Sequence, residues 1–579
     1  MKVYIQGSNQ SVDLTQRNFL AQGGEGSVYV KGDTAFKVYH DLSKMIPVGK
    51  IHELSKLTDR KIVRPEGVLV DTKGRPVGYT SRFVKDAIPF CQIFPRSFRE
   101  REGITHEVVR ELIRKFQEGV EFVHQNGILL VDLNEMNFLS SSKFDDVAFI
   151  DVDSYETPHY PALALMESVR DWSVTDGKWS VLSDWFSFGI VAFQLFTGIH
   201  PYKGGYVGPK DEFKRKIPSD VPDDAFAVTR RRMRALLSVF HSDVKCPSAT
   251  YPFSVIPSPY RAWFEAVFAN GKRCSPPSDF GSPITVVFAV RNISGGKALD
   301  LTEVGVYPGT LGRMWSDGKS LVVSLPQGVW LDRVQVTTET ASACGFSSRG
   351  GRAVVVFACE PGGVPVLENV TDRIRVPFDL EIKEVSSYDG RIYARTHDQV
   401  CEVVLTDAGS NVIASSRPVV NVLPHATRLF SGVVVQNILG SIFVSLLVRA
   451  GEARQIRVLE LDTYRVLEAK YDGGVLMVMG RTSRGEYDRL IFRFDVDDGY
   501  DVQKVVNVAQ TGLNFVTLDT GVCVCLNEEE KLEVFSSRRG SSGMKVVEDP
   551  VLGNDMILGK RGGTLLATQG SKIYSVRMK

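Results

Sequence analysis

No apolar run in this 579-residue chain approaches the roughly 18 to 20 residues that span a bilayer, and Met1 to Gly7 carries no basic segment leading into a long apolar stretch. The expectation is a soluble, cytoplasmic chain with no membrane partner. Charge of one sign is missing as well: 69 Lys and Arg face 68 Asp and Glu, a formal balance of +1. Such a chain has no overall field to hold it to nucleic acid, and no nucleic-acid partner is expected. Cysteine is sparse, and the eight thiols (Cys91, Cys246, Cys274, Cys344, Cys359, Cys401, Cys523, Cys525) are scattered, which reads as free thiols in a reducing compartment. What remains is ordinary globular composition, with hydrophobic residues at 43% and charged residues at 24%. At about 150 residues per domain the length calls for several domains with real cores.

The two halves differ in period. Before about residue 285, short strand-like runs lead into helical ones. Residues 105–125 place Val108, Leu112, Phe116, Val120 and Val123 on one stripe, and Asn126-Gly127 is a helix stop. Residues 184–197 (DWFSFGIVAFQLFT) are apolar almost all round, which predicts a central helix ended by Gly198. The arginines 230, 231, 232 and 234 read as a solvated helix face. A Pro/Ser-rich stretch, 275–283, then forms a linker.

Beyond it the helical period disappears. A glycine precedes a strand-like run at Gly318, Gly351, Gly390, Gly432, Gly474, Gly521 and Gly563, at intervals of 33, 39, 42, 42, 47 and 42. A second strand follows soon after, as in QVCEVVLT and SIFVSLLV, which is the spacing of β-propeller blades. Seven starts predict seven blades, with Ile284–Val290 (ITVVFAV) supplying the outer strand that the short last repeat lacks. A pair of β-sandwiches is the alternative, and the Trp-Asp signature of WD repeats is absent.

The first half carries the chemistry. Leu20–Tyr29 reads LAQGGEGSVY, a Gly-rich turn between strands that lets backbone N–H groups approach a polyphosphate. Lys37 follows on a strand-like run, and Glu53 lies in a helical stretch, 47–57, from which it can pair with Lys37. Asp132 is followed at plus five by Asn137 and at plus nineteen by Asp151, and two oxygen side chains near one carboxylate suit Mg²⁺.

In this order the parts resemble the protein-kinase superfamily over most of residues 15–280. Gly23 and Gly26 match glycines of the phosphate loop, Lys37 the third-strand lysine, and Glu53 its helical partner. Asp132 matches the catalytic aspartate, Asn137 and Asp151 the metal ligands, Asp184 the start of the central helix, and Arg273 a late C-lobe arginine. The chain departs from the pattern at Leu130-Val131, which replace His-Arg, at Asn134, where a lysine is usual, and at Asp151-Val152-Asp153, which replaces Asp-Phe-Gly. No Ala-Pro-Glu is visible. The V-D-L-N-x-x-N and I-D-x-D-S motifs resemble a divergent bacterial group of kinase-like proteins.

The resemblance implies a multidomain chain: an α+β bilobal kinase-like fold over 1–274 (N-lobe to about residue 84), the linker, and an all-β seven-bladed propeller over 284–579. It implies an atypical Ser/Thr protein kinase using ATP with Mg²⁺ or Mn²⁺. Gly23, Gly24, Gly26, Val28, Lys37 and the hinge residue Phe83 would bind nucleotide. Asp132, Lys37, Glu53 and Asn134 would serve catalysis, and Asn137, Asp151 and Asp153 would hold metal. The expected partners are a protein substrate and a protein bound by the propeller. A nucleotide-binding pseudokinase scaffold is the alternative, favoured by Asn134 and Asp153, and a small-molecule phosphotransferase is a third reading.

Overall fold

The computed structural model describes the chain except residues 9–10, 24, 163–164, 175–176, 210–226, 281–295, 358, 360, 410, 509–511, 542 and 554. The chain divides into two compact units, Met1–Phe288 and Ala289–Lys579, except that Arg481–Tyr487 and Ala509–Gly512 group with the first. Among the described residues no helix is long and apolar enough to cross a membrane.

The first unit opens with strands β1 (Lys2–Ile5), β2 (Ser11–Asp13), β3 (Phe19–Gln22), β4 (Gly26–Lys31) and β5 (Thr34–Tyr39), then helix α1 (Val48–Leu54) and strands β6 (Gly67–Val70) and β7 (Pro76–Arg82). These strands form one seven-stranded sheet in the order β2-β1-β6-β7-β5-β4-β3. Phe36 and Val38 point to one face, into a core with Val3, Leu14, Leu69 and Val77. Alternation sends Lys37 to the opposite face.

A helical part follows: α2 (Phe90–Ile93), α3 (Arg96–Glu102), α4 (His106–Gln125) and α5 (Val181–Thr197), with a small sheet of β8 (Ile88–Pro89), β9 (Phe138–Ser140) and β10 (Val147–Phe149) between α4 and α5 in sequence. Thr105 caps α4. Its buried stripe is Val109, Leu112, Ile113, Phe116, Val120 and Val123, with Val109 rather than the predicted Val108 facing inward. Helix α5 is buried from Ser183 to Thr197, and Gly198 ends it at φ 77°. The arginine run corrects an expectation. Arg230 and Arg232 are buried: Arg230 pairs with Glu167 at 2.5 Å, and Arg232 donates to the carbonyls of Leu237 and Gly204.

The second unit contains seven four-stranded antiparallel sheets. Each of the seven glycine-led runs is the second strand of its sheet, from Leu321–Leu325 to Thr564–Gln569. Gly390, Gly432 and Gly521 stand at the turn before that strand with φ of 71°, 75° and 77°, where a side chain would be strained. Leu321–Leu325 and Ala353–Phe357 are buried throughout, because apolar cores lie on both faces, so these strands read as continuous apolar runs. First strands of successive sheets lie against one another from Ala341–Phe346 round to Leu558–Arg561, which in turn touches Arg313–Ser316. Basic side chains bridge several of these steps: Arg313 donates to the Ser342 carbonyl, Lys470 to that of Phe515, and Lys560 to that of Thr517. The last sheet joins Leu299–Val306 to Lys572–Met578. Ile284–Val290, expected in that position, lies outside the described residues.

Candidate active site

The hairpin of β4 and β5 sets Val28 opposite Lys37, and β7 sets Tyr79 on the lysine's other side. Gly23 N–H donates to the Gly26 carbonyl at 2.9 Å, while Gly24 lies outside the described residues. A Cβ on Gly26 would fall 2.5 Å from the Val38 carbonyl oxygen, so the strand pair closes only around glycine. Val28 is half-buried. Phe83 follows β7, with its N–H on the Asp33 carbonyl at 2.8 Å.

Lys37 is held by carboxylates from beyond β10. Its Nζ lies 2.6 Å from Asp153 Oδ2, 3.0 Å from Asp151 Oδ1 and 3.9 Å from Glu25 Oε2. Burial opposes the lysine's charge, but Tyr79, Asp153 and Asp151 outweigh it and hold the ammonium well above its ordinary range. Asp153 is buried, and burial alone would raise its carboxyl; the ammonium of Lys37 and the hydroxyl of Tyr39, which donates to Oδ2 at 2.6 Å, bring it below the ordinary value. Asp151 keeps 44% of its side chain open, yet the protein mass around it raises its carboxyl, with Lys37 opposing and Asp153 adding to the rise.

The expected pairing of Glu53 with Lys37 is not made. Glu53 Oε1 lies 2.5 Å from His159 Nδ1, and Glu53 Oε2 accepts from the His159 N–H at 3.4 Å. The helix turns its acid toward the segment after Asp151, and the lysine finds nearer carboxylates. Asp153, expected among the metal ligands, is instead engaged by Lys37 and Tyr39.

The loop after α4 brings the other predicted residues together. Asp132 is 6% exposed; its Oδ1 accepts from Met166 N–H at 2.8 Å and its Oδ2 from Asn134 Nδ2 at 2.8 Å. Burial raises its carboxyl above the ordinary value. Asn137 Nδ2 donates to the Asp132 carbonyl at 3.0 Å and reaches Asp132 Oδ2 at 3.4 Å. Beneath the loop, Asp184 accepts from the N–H groups of Leu130 and Val131 at 2.8 and 2.9 Å, and His124 Nε2 lies 2.9 Å from it.

Sequence reading missed Asp171. Arg273 forks onto it at 2.6 and 2.7 Å and lies over the Phe186 ring, so this buried carboxylate anchors the segment before α5. A D-W pair in a loop carries no pattern that would have marked it.

Asp151 and Asn137 offer oxygen donors, the ligand chemistry that Mg²⁺ takes. Asn137 engages its Nδ2 with Asp132, leaving Oδ1 as the atom a cation would use. Among the described residues no group of three or more His, Cys, Asp or Glu is arranged to hold a metal ion, and two protein oxygens completed by phosphate oxygens fit that finding.

No protein-family model matches the chain. Over 111 residues, 18% of its length, the chain is 26% identical to the striated muscle preferentially expressed protein kinase of Danio rerio. The match spans 4% of that relative. The chain is thus similar to a protein kinase over part of its length.

Proposed function

We propose that the first unit is a bilobal kinase-like phosphotransferase acting with ATP and Mg²⁺ on protein Ser or Thr hydroxyls, and that the second is a seven-bladed propeller that recruits the protein substrate or a partner. The observation that carries this reading is the cluster of Lys37 on Asp151 and Asp153, together with Asn137 on Asp132, drawn from β5, the loop after α4 and the turn after β10. The partial similarity to a protein kinase supports it.

In this reading the turn from Gly23 to Gly26 and Val28 cover the nucleotide, and the hinge near Phe83 borders its base. Lys37 contacts phosphate oxygens. Asp151 and Asn137 would hold Mg²⁺, which when bound neutralises phosphate charge. Asp132 orients the acceptor hydroxyl and takes its proton as the new oxygen–phosphorus bond forms and ADP leaves. Its raised carboxyl is closer to the range in which a base works at neutral pH. Asn134 holds the Asp132 side chain in place of adding a positive charge.

One observation favours a pseudokinase scaffold: both oxygens of Asp132 already accept bonds within the protein. Thermal shift with ATP, with and without Mg²⁺ or Mn²⁺, and transfer assays on protein and small hydroxyl acceptors separate the readings. The proposal expects metal-dependent stabilisation and transfer to protein. Stabilisation without transfer supports the scaffold, and transfer to small hydroxyl compounds alone supports the small-molecule enzyme.

A further inference from the structure

Resting on the kinase-like reading, the inference concerns what aims Lys37. The lysine's closest carboxylate is Asp153, at 2.6 Å and 1% exposed, in the short 3₁₀ turn Val152–Ser154. Two residues along β5 from Lys37, on the same face, Tyr39 donates its hydroxyl to the same oxygen of Asp153 at 2.6 Å. The ammonium also lies 5.3 and 5.8 Å from the ring centres of Tyr39 and Tyr79. A charge enclosed in this way has few other positions open to it.

Helix α1 is engaged elsewhere. Glu53 bonds His159, Lys50 Nζ donates to the Pro161 carbonyl at 3.2 Å, and a Cβ on Gly49 would fall 2.1 Å from the Tyr160 hydroxyl. Three positions of one helix thus seat residues 159–161.

We propose that Asp153, braced by Tyr39, is the positioning residue for Lys37, and that Glu53 instead fastens the segment around His159 to α1. A carboxylate on the turn after Asp151 takes the task that the kinase pattern gives to the helix. Without the Asp153 charge, Lys37 is left with Asp151 and the more distant Glu25 as its acids, so it competes with the cation for Asp151 and loses its aim at phosphate.

The test uses the full chain and a fluorescent ATP analogue with Mg²⁺, measuring Kd for wild type, Lys37→Met, Asp153→Asn, Tyr39→Phe and Glu53→Gln, with KM and kcat wherever transfer is seen. Asp153→Asn is expected to weaken nucleotide binding about tenfold or more, approaching Lys37→Met. Tyr39→Phe should weaken it in smaller measure, and Glu53→Gln should stay within about twofold. The loss is expected in Kd and in KM for ATP before kcat. Should Asp153→Asn fail to fold, Tyr39→Phe against Glu53→Gln gives the same ordering. Wild-type binding with Asp153→Asn and Tyr39→Phe unchanged, or with Glu53→Gln as damaging as Lys37→Met, overturns this proposal alone. A wild-type chain that binds no nucleotide overturns the kinase-like reading and this proposal with it.

Discussion

At Val131 and Asp151 the backbone enters the left-handed region, with φ of 62° and 58°, a conformation that costs a non-glycine residue about 1–3 kcal/mol. For Val131 the offset is visible, since its N–H and that of Leu130 are both held by the buried Asp184. His200 shows the same economy of buried polar groups. Its Nε2 bonds the Ser168 carbonyl at 2.8 Å and its Nδ1 accepts from Tyr202 N–H at 3.1 Å, and burial holds the ring neutral down to about pH 3. The unfolded imidazole titrates near 6.5. The unfolded state therefore binds more protons between these values, so the contribution is complete above about pH 6.5 and is lost as pH falls toward 3, by up to ~1.4 kcal/mol per pH unit. Urea unfolding of His200→Gln between pH 6.5 and 4 should show a shallower acid slope than wild type. An unchanged slope would contradict this assignment. At this scale the sequence marked Lys37, Asp132, Asn137 and Asp151, whose types and order carry the chemistry. It did not show which of Glu25, Glu53, Asp151 and Asp153 meets Lys37, because Asp153 lies 116 residues from the lysine and the choice is made by packing.

Elements were more legible than contacts. The stripe and caps of α4 and the apolar run of α5 lie in local sequence, and both helices stand where those signals put them. The stretch 47–57 forms a shorter helix than expected, Val48–Leu54. Where elements meet, glycine sets the approach. Gly119 on α4 faces Phe149 of β10, and a Cβ there would fall 2.3 Å from the ring. Gly119→Ala should destabilise the first unit by about 1–3 kcal/mol, read from its own unfolding transition in urea. Gly26→Ala pushes on backbone rather than on a side chain, so β4 must move away from β5, and nucleotide affinity should fall with stability. A Gly26→Ala protein with wild-type affinity would show that the hairpin's closeness does not matter to the site.

Across the whole molecule, the glycine intervals already carried the number of sheets, because each hairpin turn needs a left-handed residue before a fully buried strand. The closing strand was not legible. Ile284–Val290 is the better β-former by composition, whereas Leu299–Val306 is half polar and only Leu299 and Tyr307, just beyond it, are well buried nearby. Pairing along Lys572–Met578 decides the matter, and that register lies more than 260 residues away. Because Lys572–Met578 sits between Leu299–Val306 and Thr564–Gln569, deleting residues 572–579 removes a central strand and leaves both neighbours unpaired. The second unit of that truncated chain should lose its cooperative melt and become sensitive to protease, and an unaltered melt would contradict the arrangement. The central claim concerns the first unit. Its most direct test is transfer of labelled γ-phosphate from ATP, with Mg²⁺ or Mn²⁺, to the chain itself and to a generic basic protein, comparing wild type with Asp132→Ala and Asp151→Ala. The account predicts label on Ser or Thr that both substitutions abolish; undiminished transfer in either variant, or none from wild type with its own acceptor in hand, would contradict it.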